Sequence, residues 1–127
     1  MIRGPAGQPL RATATITAKD LGTGTSTNKA SRAWARLLGK SDDDAGHIIG
    51  KLLGGSGGKD GVFPQLSKIS RGQFRDFEKS LAQYIRTNGT VKVDVIFKYT
   101  EDASRPERII YNALQYGGRI MQGRFFN

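Results

Sequence analysis

Across Asn88-Gly89 the apolar period of this chain switches from that of a helix to that of a strand, and few architectures take both on one core. Upstream, "ISRGQFRDFEKSLAQYIRTNG" repeats Phe74, Phe77, Leu81, Tyr84 and Ile85 at spacings of three and four, the stripe of a helix with one buried side. Asn-Gly then stops it. The helix is expected over about 71–87, with Ser70 and Gln73 at the S-x-x-Q spacing of a capping box. Downstream, "TVKVDVIFKY" alternates Val91, Val93, Val95, Phe97 and Tyr99 with mostly polar neighbours, which predicts a strand with one buried face.

The rest of the chain supplies partners for this pair. "RATATITA", from Arg11 to Ala18, reads as a strand followed by the loop "GTGTSTN", because β-branched residues alternate along it. "KASRAWARLLGK" places Ala30, Ala33, Trp34, Leu37 and Leu38 on one face of a helix over about 29–38. Gly39 is expected to end that helix in the left-handed conformation. "PERIIYNAL" and "RIMQGRFF" are further strands. Residues 1–10, with Gly4, Pro5, Gly7 and Pro9, read as a loose lead-in. The 127 residues fit a single α+β domain with a small antiparallel sheet and no internal repeat.

Composition removes several classes of function. There is no cysteine and only one histidine, so neither thiolate zinc sites nor multi-histidine centres are available. No apolar run reaches the ~18–20 residues that span a bilayer, and no signal-peptide pattern opens the chain. Twenty Lys and Arg against 11 acids give a net charge of +9, which favours polyanionic partners. Nucleic acid, an acidic membrane surface and an acidic protein all satisfy that criterion.

Chemistry concentrates between the two helices, in "SDDDAGHIIGKLLGGSGG" and the residues from Lys59 to Glu78. This region carries Asp44-Ala45-Gly46-His47, Gly61-Val62-Phe63-Pro64-Gln65, Ser70-Arg71-Gly72-Gln73-Phe74 and Glu78. A hairpin and then a helix is its simplest arrangement. These residues resemble, in register, the Asp-x-Gly-His, Asn-x-x-Pro-Gln and Asn-x-Gly-x-aromatic motifs, with a later glutamate, of the non-specific DNA/RNA endonucleases of the ββα-metal, or His-Me finger, superfamily. The remainder, including "AGHIIGKLLGG", "RGQFRDFE" and the late "RP-x-x-I-x-Y" of Arg105 to Tyr111, is similar to the branch found as C-terminal toxin domains of exported bacterial proteins.

The resemblance implies a ββα-metal finger, its hairpin carrying His47 and its helix the metal site. It implies a metal-dependent endonuclease of low sequence specificity acting on DNA, with RNA as a second substrate and Mg²⁺, or alternatively Mn²⁺, as the ion. His47 would be the general base, since a free imidazole titrates near ~6.5 and accepts a proton at neutral pH. Asp44 would hold the imidazole or the adjacent turn, and Arg71 would be a candidate for the arginine that stabilises the phosphorane, as would Arg32 and Arg36. Ser70 falls where the family places its asparagine ligand, and Glu78 where it places the glutamate that holds a metal-bound water.

Ser70 and Gly61 both depart from the family's asparagines, and the shorter hydroxyl is expected to weaken the metal site. The alternative to an enzyme is therefore an inactive nuclease fold that binds nucleic acid or an inhibitor. Glu78 has no cation four residues on, since residue 82 is alanine, so a helix-surface ion pair does not explain it. "GGSGG" lacks the Lys-Ser/Thr of a phosphate-binding loop and is expected to be a flexible loop beside the groove. Lys51, Lys59, Lys68, Arg71 and Arg75 are the residues expected to track phosphates. The family resemblance also implies an acidic immunity protein as partner, no membrane and no small-molecule cofactor, and action in the cytoplasm of a target cell.

Overall fold

The computed structural model describes residues 1–127. Strands β1 (Ile2–Arg3), β2 (Pro9–Ile16), β5 (Val91–Lys98), β6 (Arg108–Gln115) and β7 (Gly118–Phe126) form one antiparallel sheet in the order β1-β2-β5-β6-β7. Strands β3 (Asp44–His47) and β4 (Val62–Gln65) form a separate two-stranded sheet. Three α-helices, α1 (Lys29–Leu38), α2 (Ser67–Ser70) and α3 (Gln73–Asn88), and three single 3-10 turns at Ala18–Asp20, Lys51–Leu53 and Lys59–Gly61 complete the fold. No helix is long and apolar enough to cross a membrane.

The period change at Asn88-Gly89 is realised as α3 packed on the main sheet. Val91, Val93, Val95 and Phe97 point to one face, as the pleat requires, and are buried with Ile109, Tyr111, Ala113 and Phe125 against Phe74, Leu81, Ala82 and Ile85 of α3. Phe63 of β4 joins the same core, its ring 5.1 Å from that of Phe97 and 6.1 Å from that of Phe74. The small hairpin and α3 therefore share one side of the main sheet. Gly89 ends α3 at φ +89°, a conformation that strains any residue with a Cβ.

A buried ion pair fixes the hairpin to the sheet. Arg105 donates to both oxygens of Asp43 at 2.8 and 2.9 Å, and the Asp43 side chain is only 1% exposed. The Lys40 N–H adds a third bond at 2.7 Å. Burial pushes the Asp43 carboxyl up, but the bonds from Arg105 and Lys40 outweigh it and hold the group below its ordinary value. The "RP-x-x-I-x-Y" motif thereby divides its labour. Arg105 makes the strut, the Pro106 carbonyl accepts from Asn127, and Ile109 and Tyr111 fill the core.

Several local expectations are corrected. Residues 1–10 are tied down rather than loose: β1 pairs with β2, Arg3 donates to the Gly7 and Asp60 carbonyls, and Gln8 is buried. The first long strand accordingly begins at Pro9. Gly39 has φ −121° and is not left-handed; glycine is needed because a Cβ there would overlap Pro64 and the Asp43 carboxylate. On α1 the buried residues are Ser31, Ala35 and Leu38, while Ala30, Ala33 and Leu37 face solvent and Trp34 is half-buried. The small residues on the other side of that helix let it approach β3 and β4 closely. The capping box at Ser70 does not form, because Ser70 is already helical in α2 and Gly72 is the N-cap of α3, without a side-chain bond.

Asp43→Asn is expected to cost roughly 3–5 kcal/mol, since it leaves a largely buried guanidinium without its counter-charge. Because the folded carboxyl sits below its unfolded value of ~3.9, its contribution is fully present above about pH 4. It is lost as the pH falls through the folded value. Urea unfolding at neutral pH and near pH 3 should show the gap between wild type and variant closing in acid.

Candidate active site

His47 ends β3 and pairs with Val62 of β4, in the register Asp44–Gln65, Ala45–Pro64, Gly46–Phe63. Its Nε2 lies 2.7 Å from the Thr25 carbonyl oxygen. A carbonyl only accepts, so Nε2 must carry the proton, and in the neutral ring the lone pair is then on Nδ1. Nδ1 has no hydrogen-bond partner within the chain. The imidazole is thus held in one tautomer with its basic nitrogen free.

Thr25 is itself held by two interlocked glycine loops. Its N–H donates to Gly55 O at 3.0 Å, its Oγ1 accepts from Gly57 N–H at 2.9 Å, and Gly24 N–H donates to Lys51 O at 3.1 Å. A Cβ at Gly24 would overlap the Lys51 and Gly55 carbonyls; at Gly55, the Ile49 carbonyl; and at Gly57, the Ser26 backbone. "GGSGG" is therefore a close-packed clamp and not a flexible loop. Gly61 obeys the same logic, because a Cβ there would overlap the Ser56 carbonyl. That close approach is a steric reason for glycine where the family motif has asparagine.

Beyond His47 the chain turns at Gly50, whose N–H donates to Glu78 Oε2 at 2.6 Å. Glu78 interrupts the apolar stripe of α3 between Phe74 and Leu81 and is 9% exposed. Burial pushes its carboxyl up to about 8, with the Gly50 bond opposing. Its second oxygen has no hydrogen-bond donor in the chain. The nearby phenol of Tyr111 is fully buried without a partner, and burial, reinforced by the Glu78 charge, raises it well above its ordinary value. Gly50 is glycine because a Cβ would collide with this carboxylate.

The remaining expected site residues are distributed unevenly. Asp44 does not touch the imidazole: its oxygens take Ser67 Oγ at 3.0 Å and a two-pronged contact from Arg71 at 3.0 and 3.1 Å. It orients the start of the helical segment instead, while the Thr25 carbonyl holds the ring. Arg71 remains 73% exposed beyond that pair. Ser70 ends α2, half-buried, with its hydroxyl unbonded. Lys51 donates to Ser26 Oγ at 3.0 Å and so stands beside the Thr25 loop. Lys59 lies over the Trp34 ring, 4.5 Å from its centroid. Lys68 and Arg75 are exposed, Arg75 lying 4.0 Å from Asp76. Arg32 and Arg36 are exposed on α1.

Residues 9–115 match the family described as DNA/RNA non-specific endonuclease. The chain belongs to that family. Among curated proteins, the chain is 48% identical over all of its 127 residues to Probable deoxyribonuclease RhsA of Dickeya dadantii (strain 3937). It spans only 9% of that relative's length. Its fold is shared with the solved Sda1 nuclease with bound zinc ion, at a TM-score of 0.77 and 15% identity, covering 100% of this chain and 72% of the other. An extracellular endonuclease also aligns, at a TM-score of 0.63 and 11% identity over 91% of this chain and 61% of its own.

Thr25 and Gly50 were not legible as site residues. Thr25 acts through a backbone carbonyl, which has no side-chain signature. Gly55→Ala should drive the clamp apart at Ile49 and shift the Thr25 carbonyl. The expected result is a loss of stability of about 1–3 kcal/mol, seen in urea unfolding. The His47 ring protons should also change chemical shift in NMR, as the Nε2 bond lengthens.

Proposed function

We propose that this chain is a metal-dependent endonuclease of low sequence specificity, hydrolysing phosphodiester bonds of DNA and also accepting RNA. The observation that carries this reading is the Nε2 bond from His47 to the Thr25 carbonyl. It leaves Nδ1 as the proton acceptor. As water attacks phosphorus, its proton passes to Nδ1, and the imidazolium so formed keeps its bond to Thr25. A positioned general base of this kind contributes ~10²–10⁴-fold.

The oxygen-rich donor set suits Mg²⁺ or Mn²⁺. No cluster of three or more histidine, cysteine or acidic side chains is present, but Mg²⁺ retains several waters and needs few protein ligands. The unbonded Ser70 hydroxyl and the free oxygen of Glu78 are the groups that would hold it, Glu78 through water. A divalent ion there supplies charge neutralisation for the leaving oxygen. Burial raises the Glu78 carboxyl, and a divalent cation bound beside it would favour its charged form. Arg71, braced by Asp44, and Lys51, beside the Thr25 loop, would grip phosphate, with Lys68 and Arg75 further out. Lys59, engaged with Trp34, would contribute charge alone.

In its setting the domain would be the toxin part of an exported bacterial effector. It would cut nucleic acid in the cytoplasm of a target cell and be neutralised in its producer by an acidic immunity protein. The near-half identity to an Rhs protein over the whole of this chain supports that assignment.

Plasmid incubated with Mg²⁺ or Mn²⁺ should be nicked, and His47→Ala should lower the rate by at least about 10²-fold. Ser70→Asn should raise it and lower the metal concentration needed for half-maximal rate. Failure of Ser70→Asn to cut at all would favour the alternative, an inactive fold that only binds nucleic acid or its inhibitor.

A further inference from the structure

The pleat sends every second residue of the main sheet away from α3 and the hairpin, to a face on which the active site does not lie. On that face Lys92 and Lys98 of β5, Arg108 of β6, and Arg119 and Arg124 of β7 are exposed. None of these five has a carboxylate within 4.0 Å. The single acid there, Asp94, is taken by Arg11 at 2.7 Å. Lys98 sits directly opposite Arg108 across the β5–β6 pair, and Arg124 is paired with Ile110, two residues along the same face from Arg108. Like charges directly opposite each other destabilise a sheet, and no carboxylate offsets this cluster, Arg124 bonding only the neutral Gln122 at 3.1 Å.

We propose that this outer face is a second nucleic-acid-binding surface, which holds the sugar-phosphate backbone of substrate duplex outside the cleavage site. The proposal rests on the nuclease reading for the identity of the polyanion. Its cations form two groups, Lys98, Arg108 and Arg124 at one end and Lys92 with Arg119 at the other. Lys98 lies six positions along the strand from Lys92, or ~20 Å, the rise over which one strand of a duplex presents about six phosphates. Between the groups lie Asn112 and Gln122, joined at 2.7 Å, the Asp94–Arg11 ion pair, and the half-buried Ile96 and Ile110.

That chemistry selects nucleic acid over an acidic protein. Cores of protein interfaces are depleted of charge and enriched in aromatic and apolar groups, whereas DNA interfaces are polar and strongly cationic. The exposed large apolar residues here, Ile2, Tyr116 and Phe126, lie on the edge strand β1, in the β6–β7 turn and at the end of β7, at the margins of the face. Duplex held here would not be the segment undergoing cleavage. It would keep a long substrate attached while another part reaches His47, so in cleavage the surface should matter for plasmid and hardly at all for a duplex too short to reach both sites.

Binding of a fluorescent DNA duplex, measured in a His47→Ala background across a salt series, tests the proposal without requiring cleavage. The triple variant Lys98→Gln, Arg108→Gln, Arg124→Gln should weaken binding by roughly tenfold or more and flatten the slope of log K against log salt by about 2.7, at ~0.9 per phosphate contact. A charge-matched control, Lys19→Gln, Lys79→Gln, Arg86→Gln, should do neither. In the active protein the sheet triple should raise KM for plasmid while leaving kcat and short-duplex cleavage unchanged. Affinity and slope equal to those of the control would overturn the proposal. So would retained duplex binding with lost binding to poly-L-glutamate, which would assign the face to an acidic protein. If the protein cuts nothing but the sheet triple still loses duplex binding, the nuclease reading fails and this surface stands.

Discussion

The Asp43–Arg105 ion pair is what makes the two parts of this protein one. The hairpin that carries His47 is only two short strands, and a lone hairpin is marginal in water. It is held by Phe63 in the common core and by a carboxylate that is 1% exposed, locked to an arginine from the loop before β6. The Asn127 side chain adds to the brace by bonding the Pro64 carbonyl and the Leu66 N–H. Arg105 also reaches the Asn127 carbonyl. The position of the imidazole thus depends on contacts made more than 50 residues away in the chain.

Around His47 the site is built from backbone as much as from side chains. The Thr25 carbonyl sets which nitrogen of His47 is basic, the Gly50 N–H anchors Glu78, and glycines at 24, 50, 55, 57 and 61 make the close approaches possible. A Cβ at any of these positions would overlap backbone atoms or, at Gly50, the Glu78 carboxylate, so the close approaches require glycine. The arrangement also explains how a single histidine suffices: its orientation comes from a fixed dipole, with no second titrating group required.

Charge is divided between the two sides of the main sheet. Near the hairpin, Asp43 and Asp44 are matched by Arg105 and Arg71, so the cations left for phosphate are few and placed at the rim. The outer face carries basic residues with almost no acids to balance them. A net charge of +9 is therefore a statement about surfaces at two locations, and composition alone could not apportion it.

The sequence by itself determined most of the long elements and the family, though not β1 or α2. The change of apolar period at Asn88-Gly89 required a helix against a sheet, and the Asp-x-Gly-His, Pro-Gln and Gly-x-aromatic spacings placed the hairpin and α3. Glu78 stood out because it falls where the family resemblance places a glutamate and has no cation four residues on. What only the tertiary structure decided were contacts between segments distant in sequence: that Asp44 braces the helix start and not the imidazole, that "GGSGG" is a clamp, that Gly61 makes room for Ser56, and that α1 buries Ser31 and Ala35 rather than its more apolar face. Periodicity reports which residues share a side. It does not say which side meets the core, nor which backbone carbonyl a folded loop will present to a ring.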